Sequence, residues 1–296
     1  MTARNIDGAV ESFDLASLLL RAAAYYACLQ AVGLAMAPAW ARTLSAEERG
    51  HFGNVVRYFA LAAAGLVLAH RFLDAARLAG EWSGILDGHV ERLAWHSAAG
   101  ASLLVTTAGL LLMTLNRDVA LGIARVRPTL ACVLVLGGFA LTGHTTESGV
   151  PWMIRALVPV HLALLAFWLG GLAVLVRATR TLDERTIATR ASEFSTAAIW
   201  LVPLIAVVGV SIAAALLPGL AALREPYGRG LAAKVCLYAA LLALAALNRH
   251  ALVPQLRSQQ ATALRRFLRA LRTEQCLFAG ALLVTAGITT IWGIGR

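Results

Sequence analysis

Residues 153–176 read MIRALVPVHLALLAFWLGGLAVLV. A bilayer's hydrocarbon core takes about 20 predominantly apolar residues to cross, and this run is long enough. Arg155, near its start, is its one formally charged residue, and His161 lies two turns in. The apolar residues do not alternate as the strands of a membrane barrel would over about ten residues. In lipid every backbone polar group must be satisfied within its own segment, so the run is a helix.

Working outward, the same reasoning gives eight spans: 14–36, 55–79, 94–115, 129–143, 153–176, 195–217, 228–248 and 273–293. The fourth is short, because Arg125, Arg127 and Pro128 interrupt the apolar run after Leu121. Composition agrees. Charged residues make up 14% of the chain, against about a quarter in a soluble domain. The longest polar stretch, 249–272, is too short to build a core of its own. The expectation is therefore an all-α integral membrane protein, one transmembrane domain over residues 1–296 made of about eight helices. Asp7, Glu11 and Asp14 precede the first span where a secretion signal would be positive, so that span is taken as a helix that stays.

The net charge is +10, and Lys234 is the only lysine. In a soluble protein this would suggest nucleic acid. Here the arginines gather in alternating loops, 37–54, 116–128, 177–194 and 249–272. Cytoplasmic loops carry such an excess, which places both termini outside (N-out/C-out) and leaves membrane lipid, not nucleic acid, as the partner. Trp82, Trp95, Trp152, Tyr227 and Trp292 fall at outer interfaces, and Trp40 and Tyr58 at inner ones. Within 249–272, Leu264, Phe267, Leu268 and Leu271 recur at helical spacing opposite Arg265, Arg266, Arg269 and Arg272. That pattern predicts an amphipathic helix lying on the inner leaflet. Cys28, Cys132, Cys236 and Cys276 lie singly in separate spans and predict no disulfide.

The histidines are unevenly placed. Of seven, His70, His89, His96, His144 and His161 fall at the outer end, while His51 and His250 fall at the inner one. Ionisable groups inside a membrane are costly and mark functional sites. His70, His96, His144 and His161 come from four different spans, and a bundle brings them toward one outward-facing cavity. Imidazole is a neutral, borderline ligand for copper, zinc or haem iron. Asp74 stands four residues from His70, placed to orient its ring or to pair with Arg71 or Arg77. Arg21 and Lys234 lie at similar depth, and Met153 sits at the outer mouth. Fixed positive charge opposes a bare cation, and it suits haem propionates equally well. His89, beside Asp87 and Glu91, reads as solvated.

Several short motifs occur in order. Pro159-Val160-His161-Leu162 is followed by Ala166-Phe167-Trp168-Leu169-Gly170-Gly171. Tyr227-Gly228-Arg229, Lys234, Ala246-Leu247-Asn248-Arg249 and Val253-Pro254 come later, and Leu141-Thr142-Gly143-His144 precedes them. Together they resemble the copper resistance protein D (CopD) family, most clearly over residues 151–293. The resemblance implies a bacterial inner-membrane protein of about eight spans that handles copper, usually by import. It implies a periplasmic copper-binding partner of the CopC type, and it supports His144, His161 and Lys234. His70 and His96 rest on position alone.

Three functions follow from these residues. The first is a copper transporter, not an enzyme, in which Pro159 and Gly170-Gly171 supply helix bending. The second is a membrane electron-transfer protein or metalloreductase carrying haem b on paired histidines. The third is a copper sensor or assembly factor that binds without transport. No phosphate-binding loop or nucleotide domain is present, which argues against ATP-driven pumping by this chain.

Overall fold

The structure, a computed structural model, describes residues 3–79, 81–115, 121–142, 150–217 and 219–291. The long helices among them are α1 (Ala3–Trp40), α2 (Ala46–Ala79), α4 (Ala98–Thr114), α5 (Leu121–Phe139), α6 (Trp152–Thr181), α7 (Glu184–Leu216), α8 (Pro226–Leu247) and α10 (Ala263–Thr290). Short helices α3 (Gly88–Trp95) and α9 (Val253–Arg257) complete the set. Five stretches are long and apolar enough to cross a membrane: Phe13–Trp40, Ala46–Arg77, Trp152–Thr181, Glu184–Leu216 and Pro226–Arg257. Ala98–Thr114 and Val126–Phe139 are shorter apolar helices. The chain is a multi-pass membrane protein. Leu204, Val207 and Val210 on α7, with Val235 and Leu242 on α8, point outward, as lipid-facing residues do.

Several boundaries differ from the sequence reading. The third span is broken: α3 ends at Trp95, and Ser97 caps a new helix by accepting from Gly100 N–H at 3.3 Å. The fourth begins earlier than residue 129, since the helix runs from Leu121 straight through Pro128. Arg127 is accommodated there by donating to the Leu115 carbonyl at 2.8 Å. The basic stretch 263–272 does not lie flat on the membrane. It is the first half of α10, and Phe267 and Leu271 are buried against the bundle while the four arginines face out. Trp40 is also no interface residue, since its ring packs edge-on to Phe167 and Phe194 in the core.

Helix α1 is the centre of the packing, running along α2, α6 and α10. It approaches α6 most closely at Gly33 and Gly170. A Cβ on Gly33 would lie 1.9 Å from the Ala166 carbonyl oxygen, and one on Gly170 would lie 2.3 Å from the Gly33 carbonyl carbon. Small residues at such crossings let membrane helices gain van der Waals contact where the hydrophobic effect contributes little. The next residue, Gly171, faces the Phe194 ring of α7. The glycine pair thus serves packing; α6 runs unbroken through it and through Pro159.

At the end of the bundle opposite the termini, one polar clamp ties three elements together. Ser45 and Glu48 form a capping box at the start of α2: the Ser45 hydroxyl accepts from Glu48 N–H at 3.1 Å, and the Glu48 carboxylate from Ser45 N–H at 2.9 Å. Arg190 of α7 then donates to both Glu48 oxygens and, at 3.0 Å, to the Thr43 carbonyl.

Asp183 caps α7. Its Oδ1 accepts from Arg185 N–H and Thr186 N–H at 3.0 Å, and its Oδ2 from the Thr186 hydroxyl at 2.7 Å. The Thr186 hydroxyl and backbone N–H hold its carboxyl below the usual value. A carboxyl lowered in the folded state contributes fully above its unfolded pKa and loses that contribution as pH falls through the folded one. Thermal melts of Asp183→Asn should therefore show a shallower acid-side decline than wild type. Equal slopes would remove the cap from the pH response.

Beyond α8 the helix widens. Asn248–Leu252 form a π turn, in which Val253 N–H donates to the Asn248 carbonyl five residues back. Pro254 lacks an N–H for the His250 carbonyl, and its ring crowds that oxygen. The wider turn relieves the crowding. Such turns occur often at functional sites.

Candidate functional site

The expected outer histidines separate into different places. His70 of α2 is buried against α1. Its Nδ1 stands 3.1 Å from Asp74 Oδ2, and its Nε2 lies 3.0 Å from Ser17 Oγ and 3.2 Å from the donating Arg21 Nε. Arg21 also donates to the Thr289 carbonyl of α10 at 2.9 Å. Arg77 binds Asp14 at 2.5 Å and Asp74 at 3.6 Å. In this arrangement both His70 nitrogens are engaged, Nδ1–H as donor and Nε2 as acceptor. The residue ties α2 to α1, Arg21 extends the link to α10, and His70 has no lone pair left over for a metal. Asp74 both orients His70 and pairs with Arg77, so the two roles considered for it coexist.

His96 is exposed in the turn after α3, and His89 is exposed in α3 itself. Met153 is exposed in the first turn of α6. His144 lies outside the described residues. Arg71 places its guanidinium 5.6 Å over the Trp95 ring.

His161 belongs to a second region, between α6, α7 and α8. Its ring sits against Gly209 of α7, where an added Cβ would be 3.2 Å from Cε1. The Ile205 carbonyl approaches the ring. Even so, the buried Nδ1 has no hydrogen-bond partner of acceptable geometry. Lys234 of α8 is near enough for its charge to act on the imidazole. Among the described residues no carboxylate pairs with Lys234. A little deeper, Tyr238 of α8 donates its hydroxyl to the Val202 carbonyl of α7 at 2.7 Å, holding the two helices in register.

A third group was not foreseen. Glu274 of α10 is buried, 1% exposed. Its Oε2 accepts from Trp168 Nε1–H at 3.2 Å, and its Oε1 accepts from the Asn248 amide. Both partners lie in the motifs quoted above; Glu274 lies in none of them. These three residues, with Ser195 and Arg249, line a cavity of about 60 Å³ between α6, α7, the π turn and α10. One water needs roughly 10–15 Å³ on that measure, so the cavity is large enough for water beside the Glu274 carboxyl.

Among the described residues, no three His, Cys, Asp or Glu side chains come together to hold a metal ion. His70 and His161 occupy separate grooves. What the arrangement offers is one imidazole with an unpartnered nitrogen in the half of the bundle near the termini, and one carboxyl beside a water-sized cavity in the other half.

No curated protein and no solved structure matches the chain. A family model described as copper resistance protein D matches residues 188–288, a shorter stretch than the 151–293 of the sequence resemblance. It takes in α7 to α10, with Lys234, Asn248 and Glu274, and leaves His161 and α6 outside. Residues 188–288 of this multi-pass membrane protein thus carry a domain that matches the copper resistance protein D family.

Proposed function

We propose that this chain carries copper across the bacterial inner membrane toward the cytoplasm, as a transporter and not an enzyme. Its eight long helices form one transmembrane domain with both termini in the periplasm. The arginine-rich loops at the opposite end support that orientation. Copper, the substrate, arrives from a periplasmic carrier of the CopC type. Exposed His96 and Met153 meet it first, and His144 with His161 takes it into the bundle.

One observation carries this reading: the buried, unpartnered Nδ1 of His161 in the α6–α7–α8 groove. A buried polar atom without a partner is costly and calls for a ligand. Imidazole suits copper. The Lys234 ammonium and a copper ion compete for the same space beside the ring, so loading requires that charge to move aside. His70 joins the ligand set only when Arg21 releases Nε2.

Calorimetry on purified protein tests the site. His161→Ala combined with His144→Ala should weaken copper binding about tenfold or more, the scale expected when ligands are lost from such a site. Lys234→Met removes the repulsion and should tighten binding. An unchanged affinity in the double variant would sink the assignment.

A further inference from the structure

Glu274 plays no part in copper capture as described above, yet it is the most deeply buried carboxyl among the described residues. Its surroundings are distinctive in what they lack. No described Arg, Lys or His forms an ion pair with it. Arg249 is the charged residue on the cavity wall, but its guanidinium is committed to Ser195, donating to the hydroxyl and, at 3.2 Å, to the carbonyl. On α9, Arg257 donates to Ser192 Oγ at 2.7 Å. From α8, Tyr238 gives its hydroxyl to Val202, and Lys234 stands ~21 Å along the helix from Asn248 at 1.5 Å per residue. His250 in the π turn is exposed. From α1 come Tyr26, which lies near Cys276 of α10, and the amide of Gln30. α6 offers Trp168, which does not titrate.

The hydrogen bonds suit both protonation states. Trp168 Nε1–H can only donate, so one carboxyl oxygen always accepts. The Asn248 amide has a donor end and an acceptor end. With the carboxylate, its NH2 donates, as it does here. With the acid, a half-turn of the amide presents Oδ1 to accept the new O–H. That Oδ1 is buried and has no partner in the present state. A carboxyl kept for structure would be paired with a cation or locked by fixed donors. This one is set against a reversible amide and a water-sized cavity.

We propose that Glu274, held by Trp168 and Asn248 on this cavity, is a proton-binding site that couples proton movement to copper movement. The coupling half of this rests on the transport function proposed above; the proton-binding half does not. The step is a proton transfer only: the carboxylate takes one proton from cavity water to become the acid, and returns it the same way. No electron moves.

Two measurements on the full-length protein separate the halves. In infrared difference spectra between neutral and acid pH, wild type should show a buried carboxylic acid C=O band. Glu274→Gln should lose it, and Asn248→Ala should shift it while Trp168, Glu274 and the cavity remain. Glu274→Gln retains both hydrogen-bond partners, so it should fold. In proteoliposomes loaded with a pH-sensitive dye, copper addition should produce a proton flux that is lost in Glu274→Gln, as expected when an intramembrane proton-relay acid is removed. An identical C=O band in Glu274→Gln overturns the site. An undiminished proton flux in that variant, or copper flux without any proton flux in wild type, overturns the coupling. If wild type moves no copper but the band behaves as expected, the transport function fails and the proton site stands.

Discussion

Arg190→Met is expected to cost about 3–5 kcal/mol of stability, the range seen when one partner of a buried ion pair is removed. Arg190 is 1% exposed, and the Glu48 side chain is 14% exposed. Removing the guanidinium leaves the half-buried Glu48 carboxylate without its cation and opens a hole where Arg190 was buried. It also takes a donor from the Thr43 carbonyl in the α1–α2 connection. Thermal unfolding in detergent should therefore fall steeply for Arg190→Met and hardly at all for Arg265→Met, an exposed arginine on α10. Replacing both members, as Arg190→Met with Glu48→Leu, should recover much of the loss because no buried charge remains. Equal melting of Arg190→Met and Arg265→Met would show that the clamp contributes nothing. Arg190 falls in the arginine-rich connection by sequence, yet it is a core residue.

Gly170→Leu should be comparably severe. The first added carbon already meets the backbone of Gly33, with contacts of 2.3 Å to the carbonyl carbon and 2.6 Å to Cα. Backbone cannot rotate away as a side chain does, so α1 and α6 must separate along their length. Overpacking of this kind costs about 1–3 kcal/mol and sometimes more, and α1 also carries the contacts to α2 and α10. Gly65→Leu, on α2 where a Cβ meets nothing within 4 Å, is the matched control. A melting temperature for Gly170→Leu equal to that control would show that the α1–α6 crossing does not limit stability.

Much of the fold was legible because hydropathy runs of bilayer length admit only one backbone solution. Pro128 and Arg127 were harder. They looked like a loop, but a proline early in a helix leaves one carbonyl without its usual donor, and Arg127 found a chain-end carbonyl on α4. The basic stretch 263–272 misled for a related reason. Its periodicity was correctly helical, but periodicity does not distinguish a face turned to lipid headgroups from one turned to protein. Of the site, the sequence pointed to depth and not to neighbours. His70 and His161 were read by depth as parts of one cavity, yet they sit in separate grooves, because depth alone does not reveal which helices adjoin. Glu274 was overlooked because it lies one residue inside the last predicted span, next to Arg272 and Thr273, where an acid looks like part of the polar edge. The available signal was an acid within a span, with a buried tryptophan and asparagine elsewhere in the motifs to receive it.

The widened turn at Asn248–Leu252 has a consequence for chain length. It absorbs one surplus residue between the groove-facing stretch of α8 and the Val253-Pro254 step. A shortening by one residue inside those five would rewind the turn to ordinary pitch and leave the flanking helices close to their present azimuth. The same deletion about three turns earlier, between Lys234 and Tyr238, would swing everything beyond it by about 100°. Single-residue deletions stepped along 234–257 should thus be tolerated in one narrow window, and that window marks where the asparagine was given its freedom to turn.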